Sequence, residues 1–186
     1  MRSLAVLSLL LALPLFAIAQ DKKGNDKDKS PDVRIGSLKA TPPADWKKEK
    51  PANLLRSYQF RLPEVSDLPG AEIAVFPEAH PKPEKNFPKW QGQFIPPEGK
   101  TLEDISKISK WDVKGATVTV LDMTGTWKFK ERPQDPASKE MLLDNYRVVW
   151  VIVAEDSEAT HIRMSGPVTS MAKQFAGFET FVKSLK

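Results

Sequence analysis

The sequence predicts an α+β domain: an antiparallel β-sheet with a C-terminal amphipathic helix and one or two short helices packed on it. Three observations carry this expectation. "NYRVVWVIVAE" over 145–155 is apolar at consecutive positions, the pattern of a central strand covered on both faces. "GATVTVLDMTGTWKF" over 115–129 alternates in the period of two that marks a long strand. "VTSMAKQFAGFETFVKSL" places Val168, Met171, Phe175, Phe178, Val182 and Leu185 at spacings of three and four, one apolar face of a helix.

The chain opens on a segment that reads as an address. Arg2 precedes an apolar run from Leu4 to Phe16, and Ala17-Ile18-Ala19 supplies the small-x-small pattern of a signal-peptidase site. The run is shorter than the ~20 residues a membrane span needs, so residues 1–19 are expected to be cleaved. Residues 20–33 form a charged linker nearly devoid of apolar side chains up to Pro31, too polar to offset the entropy of ordering. The rest, 34–186, suits one domain with a respectable core.

Within that domain a short strand is expected near 34–41. "NLLRSYQFRLP" and "AEIAVFP" over 71–77 read as a hairpin around the turn material "VSDLPG". Eleven of the 16 prolines lie between Pro42 and Pro97 and only three follow, so short elements come first and long ones later. "FPKWQGQF" over 87–94 predicts a short helix capped by Asn86, with Pro88 in its first turn and Phe87, Trp90 and Phe94 on one face. "TLEDISKIS" over 101–109 predicts a second, with Thr101 as cap and Glu103 and Asp104 in its first turn. "THIRMSG" over 160–166 completes a meander with the two long strands, pointing Ile162 and Met164 inward and His161 and Arg163 outward. The connection 130–144 is long and polar, a length that is often functional.

Composition excludes several chemistries. There is no cysteine, hence no disulfide, thiolate nucleophile or thiolate metal site. Without residues 1–29, 23 basic residues stand against 21 acidic ones, interspersed along the chain, which is no footprint of a nucleic-acid binder. His80 and His161 are the two histidines, with no ligand spacing around them, and no HExxH, GxSxG or phosphate-loop motif occurs. No cofactor is implied. Scattered acids such as Asp122, Asp144 and Glu155, with His161, leave open a small secreted hydrolase; Ser165 lies too far along the strand from His161 to form a triad with it. Trp127 and Trp150 are expected in the core. Trp46, Trp111, His161 and Arg163 are the candidate ligand or partner surface.

The strings "PPADW", "VKGATVTVLDMTGTW", "YRVVWVIV", "THIRMSGP" and "FETFVKSL" occur in an order that resembles the PsbP-like extracytoplasmic domains. The resemblance covers most of 34–186, and extends to small exported bacterial proteins of unknown function. It implies an antiparallel sheet flanked by helices and a non-catalytic accessory or assembly role, and carries over no site residues. The leading expectation is an exported, monomeric binding or accessory domain of the cell envelope. Its partner would be a protein or polysaccharide, with no nucleic acid and no membrane span after signal cleavage. A secreted hydrolase and a structural envelope protein are the alternatives.

Overall fold

The computed structural model describes residues 32–77, 79–132, 135–156 and 158–186. The expected signal peptide and most of the linker lie outside them. In chain order the elements are β1 (Val33–Ile35), β2 (Leu38–Ala40), β3 (Lys47–Glu49), β4 (Tyr58–Arg61), β5 (Glu72–Phe76), α1 (Pro83–Gln91), β6 (Phe94–Ile95), β7 (Ser106–Val113), β8 (Ala116–Phe129), β9 (Met141–Ala154), β10 (Ala159–Pro167) and α2 (Val168–Lys183). The class is α+β, as expected. β1 and β2 make a separate hairpin, and the other strands form one antiparallel sheet ordered β3-β4-β5-β10-β9-β8-β6, with β7 also paired on β8.

β9 sits inside this sheet and is buried on both sides. Val149, Val151 and Val153 face α2, where Met171, Phe178, Phe181 and Val182 close a core shared with Val118, Val120, Ile162 and Met164. Val148, Trp150 and Ile152 face the other way, onto Phe87 and Trp90 of α1, Phe94 of β6, and Leu121, Met123 and Trp127 of β8. The β1–β2 hairpin extends the first core with Val33, Ile35 and Leu38. It turns at Gly36, whose φ of +61° and contact with Glu155 forbid a side chain; Glu155 accepts hydrogen bonds from the backbone N–H and the hydroxyl of Ser37.

The long strands carry one irregularity. The β8–β9 register shifts between Gly125 and Trp127. Opposite it Asn145 takes a φ of 53°, which asparagine tolerates better than most residues, and Thr126 donates to the Asp144 carboxylate at 2.7 Å. Such a bulge bends the ribbon. Beyond it the two strands continue as an arm in which Trp127 pairs with Leu143 and Phe129 with Met141. Met141–Leu143 therefore belong to β9, and the polar connection is shorter than 130–144.

The expected helix at 101–109 is replaced by a turn and a strand. Thr101 and Asp104 do exchange cap-like hydrogen bonds, Thr101 N–H to Asp104 at 2.8 Å and Asp104 N–H back to the Thr101 hydroxyl at 3.3 Å. The Thr101 backbone N–H and hydroxyl, both donating to the Asp104 carboxylate, hold that carboxyl below its usual range, and the bonds end a single turn. From Ser106 onward eight residues pair with β8, and that ladder outweighs the weak three-residue spacing of Leu102, Ile105 and Ile108. The helix at 87–94 begins earlier, with Pro83 at its first turn, and Asn86 donates to the His80 carbonyl rather than capping. Phe94 has left the helix for β6, yet joins Phe87 and Trp90 in the same cluster. Of the first hairpin only Tyr58–Arg61 is strand on the β4 side, and Leu54 and Leu55 lie exposed in a loop.

Two substitutions test the double-sided core. Trp90 stacks on Trp150 with centroids 5.6 Å apart, and Phe178 is fully buried beneath α2. Trp90→Ala and Phe178→Ala should each lower unfolding free energy by ~3–5 kcal/mol in urea titrations. A loss under about 1 kcal/mol at Trp90 would show that α1 does not close the second core.

Candidate functional site

The sheet face under α1 divides in two. One end is the aromatic core just described. The other end, on β3, β4, β5 and β10, is charged. Register explains why. Arg61 pairs with Glu72, which pairs in turn with Ser165; Gln59 pairs with Ala74, which pairs with Arg163; and Phe76 pairs with His161. Residues paired across strands share a face, so Gln59, Arg61, Glu72, Phe76, His161 and Arg163 come together from three strands. Arg56 reaches in from the loop before β4.

Glu72 is the hub. Arg56 Nη1 donates to its Oε1 at 3.0 Å, Arg163 Nη2 to the same oxygen at 3.1 Å, and Arg61 Nη2 to Oε2 at 3.4 Å. Glu49 is a second acid, 3.7 Å from Arg61 Nε and 3.1 Å from Gln59 Nε2. Three guanidinium groups thus stand against two carboxylates. The Arg56 and Arg163 side chains expose only 4% and 13% of their surface, and their Nε atoms are buried without a hydrogen-bond partner. Rings take the place of partners. Arg163 lies 5.1 Å from the Trp127 centroid and 5.6 Å from that of Phe76, and Arg56 lies 5.8 Å from Phe76.

Burial is the larger influence on Arg163. Desolvation, with the neighbouring Arg56 charge, lowers its pKa to about 10 against the pull of Glu72. At neutral pH it stays charged, and that charge opposes folding; the opposition is relieved only as pH rises through about 10. Tyr146, stacked on Trp127 at 5.7 Å, is shifted upward by burial, so its phenol keeps its proton.

His161 and Arg163 are the two expected surface residues that the structure unites. Neither is simply outward, because the second face of β10 is itself partly covered. His161 stacks on Phe76 at 4.2 Å and meets Trp90 at 5.1 Å. Trp46 is buried, held between Phe60 at 5.9 Å and Phe181 at 5.1 Å, and offers no exposed ring. Trp111 is half-buried on the opposite face against Phe175 and Phe178, with Lys183 above it. Trp127 and Trp150 are core, as expected.

The acid and histidine sets that a hydrolase would need are not brought together. Asp122 faces α2, on the far side of the sheet from His161, and is held by Arg147 through bonds of 2.8 and 2.6 Å. Asp144 holds Thr126 and Glu155 holds Ser37, at opposite ends of β9. Ser165 is buried. Among the described residues no group of three or more His, Asp or Glu is placed to hold a metal ion, and no helix is long and apolar enough to cross a membrane.

Two hollows adjoin the charged end. One, of about 250 Å³, is lined by Gly92, Gln93, Trp127, Lys128, Lys130, Glu140 and Arg163. The other, of about 510 Å³ and shallow, involves His80, Lys89, Trp90 and His161. A larger hollow, about 700 Å³, lies elsewhere, between the β1–β2 hairpin and the end of α2, and contains none of the clustered arginines.

Sequence reasoning missed Arg56, Arg61 and Glu72. The available signal was their position: charged residues in or beside otherwise apolar strands, where a solvated face was assumed.

The cluster makes an asymmetric prediction about stability. Glu72→Gln leaves buried guanidiniums under-compensated and should cost ~3–5 kcal/mol, whereas Arg163→Met removes a desolvated charge and should be neutral or stabilising. Chemical denaturation of both variants checks this, and the reverse order would refute it.

No protein-family model matches the chain, and no curated protein matches it. Among solved structures, one from Bacteroides thetaiotaomicron VPI-5482 is similar with a TM-score of 0.45 and 13% sequence identity. The match covers 85% of this chain and 48% of that one, so this chain spans about half that protein's length.

Proposed function

We propose that the chain is an exported, non-catalytic binding or accessory domain of the cell envelope, whose contact surface is the arginine-lined end of the α1-covered sheet face. The observation that carries this reading is the imbalance at Glu72. Among the described residues three arginines converge on one carboxylate, with Glu49 as a further acid paired to Arg61, and one of them is desolvated at the expense of stability. Structural ion pairs are normally balanced or exposed. An excess of fixed guanidinium donors suits an anionic partner, because the planar fork matches carboxylate and phosphate geometry. The PsbP-like resemblance supports the same accessory role, and the leader-like residues 1–19 support secretion or passage to the periplasm. The domain acts as a monomer in this reading.

Two measurements test it. Mass spectrometry of the protein recovered from cell envelopes should give an N-terminus at Gln20, and an intact Met1 in the cytosolic fraction would overturn export. Immobilised protein should retain an acidic envelope protein or polysaccharide in a salt-sensitive manner, with retention lost in Arg61→Glu, a change at the partly exposed rim of the cluster. Absence of any retained component, together with turnover in a hydrolase screen that disappears in His161→Ala, would replace this reading with the catalytic one.

A further inference from the structure

The hollow of about 250 Å³ beside Arg163 has a one-sided hydrogen-bond character. Trp127 Nε1 is a donor only. It donates to Gln93 Oε1 at 3.2 Å, which fixes the amide so that its acceptor end faces the indole and its NH₂ group is left for the hollow. Arg163 commits Nη2 to Glu72, and its Nη1 has no hydrogen-bond partner among the described residues. Lys130 lines the same space and forms no ion pair among the described residues, and Lys128 borders it through its backbone. Glu140 is the single acceptor-only side chain in the lining. The walls are held by structure: the Lys128 backbone N–H donates to the Gln93 carbonyl at 2.8 Å, and Trp127 is buried.

Charge agrees. Arg163 and Lys130 against Glu140 leave an excess of positive charge, and including Arg56, Arg61, Glu49 and Glu72 keeps it, since four cations then face three anions. A carboxylate offers two acceptor oxygens. A phosphoryl group offers three and carries −1.5 to −2 at neutral pH, so it answers more of the donors.

We propose that this hollow, between the turn after α1 and the β8–β9 arm, is a binding site for a phosphate group. Arg163 and Lys130 neutralise it, and the Gln93 NH₂ and Arg163 Nη1 orient it. The proposal rests on the binding role assigned to this face and names its ligand chemistry. Free phosphate and a phosphate monoester on a larger molecule share that chemistry.

Isothermal titration of the domain beginning at Gln20 distinguishes them. Separate titrations use inorganic phosphate, a sugar phosphate and, at matched ionic strength, acetate. Saturable binding of either phosphate, at least tenfold tighter than acetate, supports the site, and the tighter of the two identifies the source. Arg163→Met should weaken that binding at least tenfold. Gln93→Glu, which keeps an acceptor for Trp127 but turns the donor into an acid, should do the same and guards against a folding defect at Arg163. Acetate binding as well as phosphate, no saturation with either phosphate, or unchanged affinity in both variants would overturn the proposal. If Arg61→Glu still abolishes partner retention in that event, the phosphate site alone falls and the partner surface stands.

Discussion

A strand apolar on both faces cannot be left with one face in water. β9 places Val149, Val151 and Val153 on one side and Val148, Trp150 and Ile152 on the other, all essentially inaccessible, and the rest of the architecture answers that requirement. α2 satisfies one side with a stripe from Met171 to Val182. The other side is covered by less, a nine-residue α1 and a two-residue β6 that bring Phe87, Trp90 and Phe94. These are large rings because so short a helix must bury much area with few residues. They reach the β8 and β9 half of the face and give out over β10 and β5.

Where the rings give out, charge takes over, and the transition is continuous. Trp150 stacks on Trp90, Trp90 meets His161, His161 stacks on Phe76, and Phe76 carries the guanidiniums of Arg56 and Arg163. Arginine suits such a border, being more weakly hydrated than an ammonium and able to lie against a ring. The apolar support lowers the penalty of burying the cations without removing it, as the downward shift of Arg163 indicates. Glu72 is what makes the arrangement tolerable, and it sits at the one register position that three arginines reach from three different segments.

Much of the frame was legible from the sequence because it is written in local pattern. The alternation over 115–129, the continuous run over 145–155 and the three-and-four spacing after Pro167 each specify one element and one face. The hairpin of β4 and β5 follows from turn chemistry between two alternating runs. What was illegible depends on partners distant in the chain. Residues 101–109 looked helical because Thr101 and Asp104 do make a cap, and only the ladder with β8 from Ser106 onward decides for strand. Trp46 looked exposed beside prolines and lysines; Phe60 and Phe181, which bury it, are 14 and 135 positions away. Two residues of the candidate site, His161 and Arg163, were visible as polar residues alternating with a core face. Arg56 and Glu72 were not, because their meeting depends on the register between β4, β5 and β10, which a single sequence does not encode locally.

The account turns on Arg163 being a charge the fold tolerates rather than one it needs. The double variant Glu72→Gln with Arg163→Met tests this directly by chemical denaturation. Removing the cation that Glu72 no longer compensates should restore part of the stability lost in Glu72→Gln alone, a favourable coupling of ~0.5–3 kcal/mol. A double variant less stable than Glu72→Gln alone would show that Arg163 is there to hold the fold together.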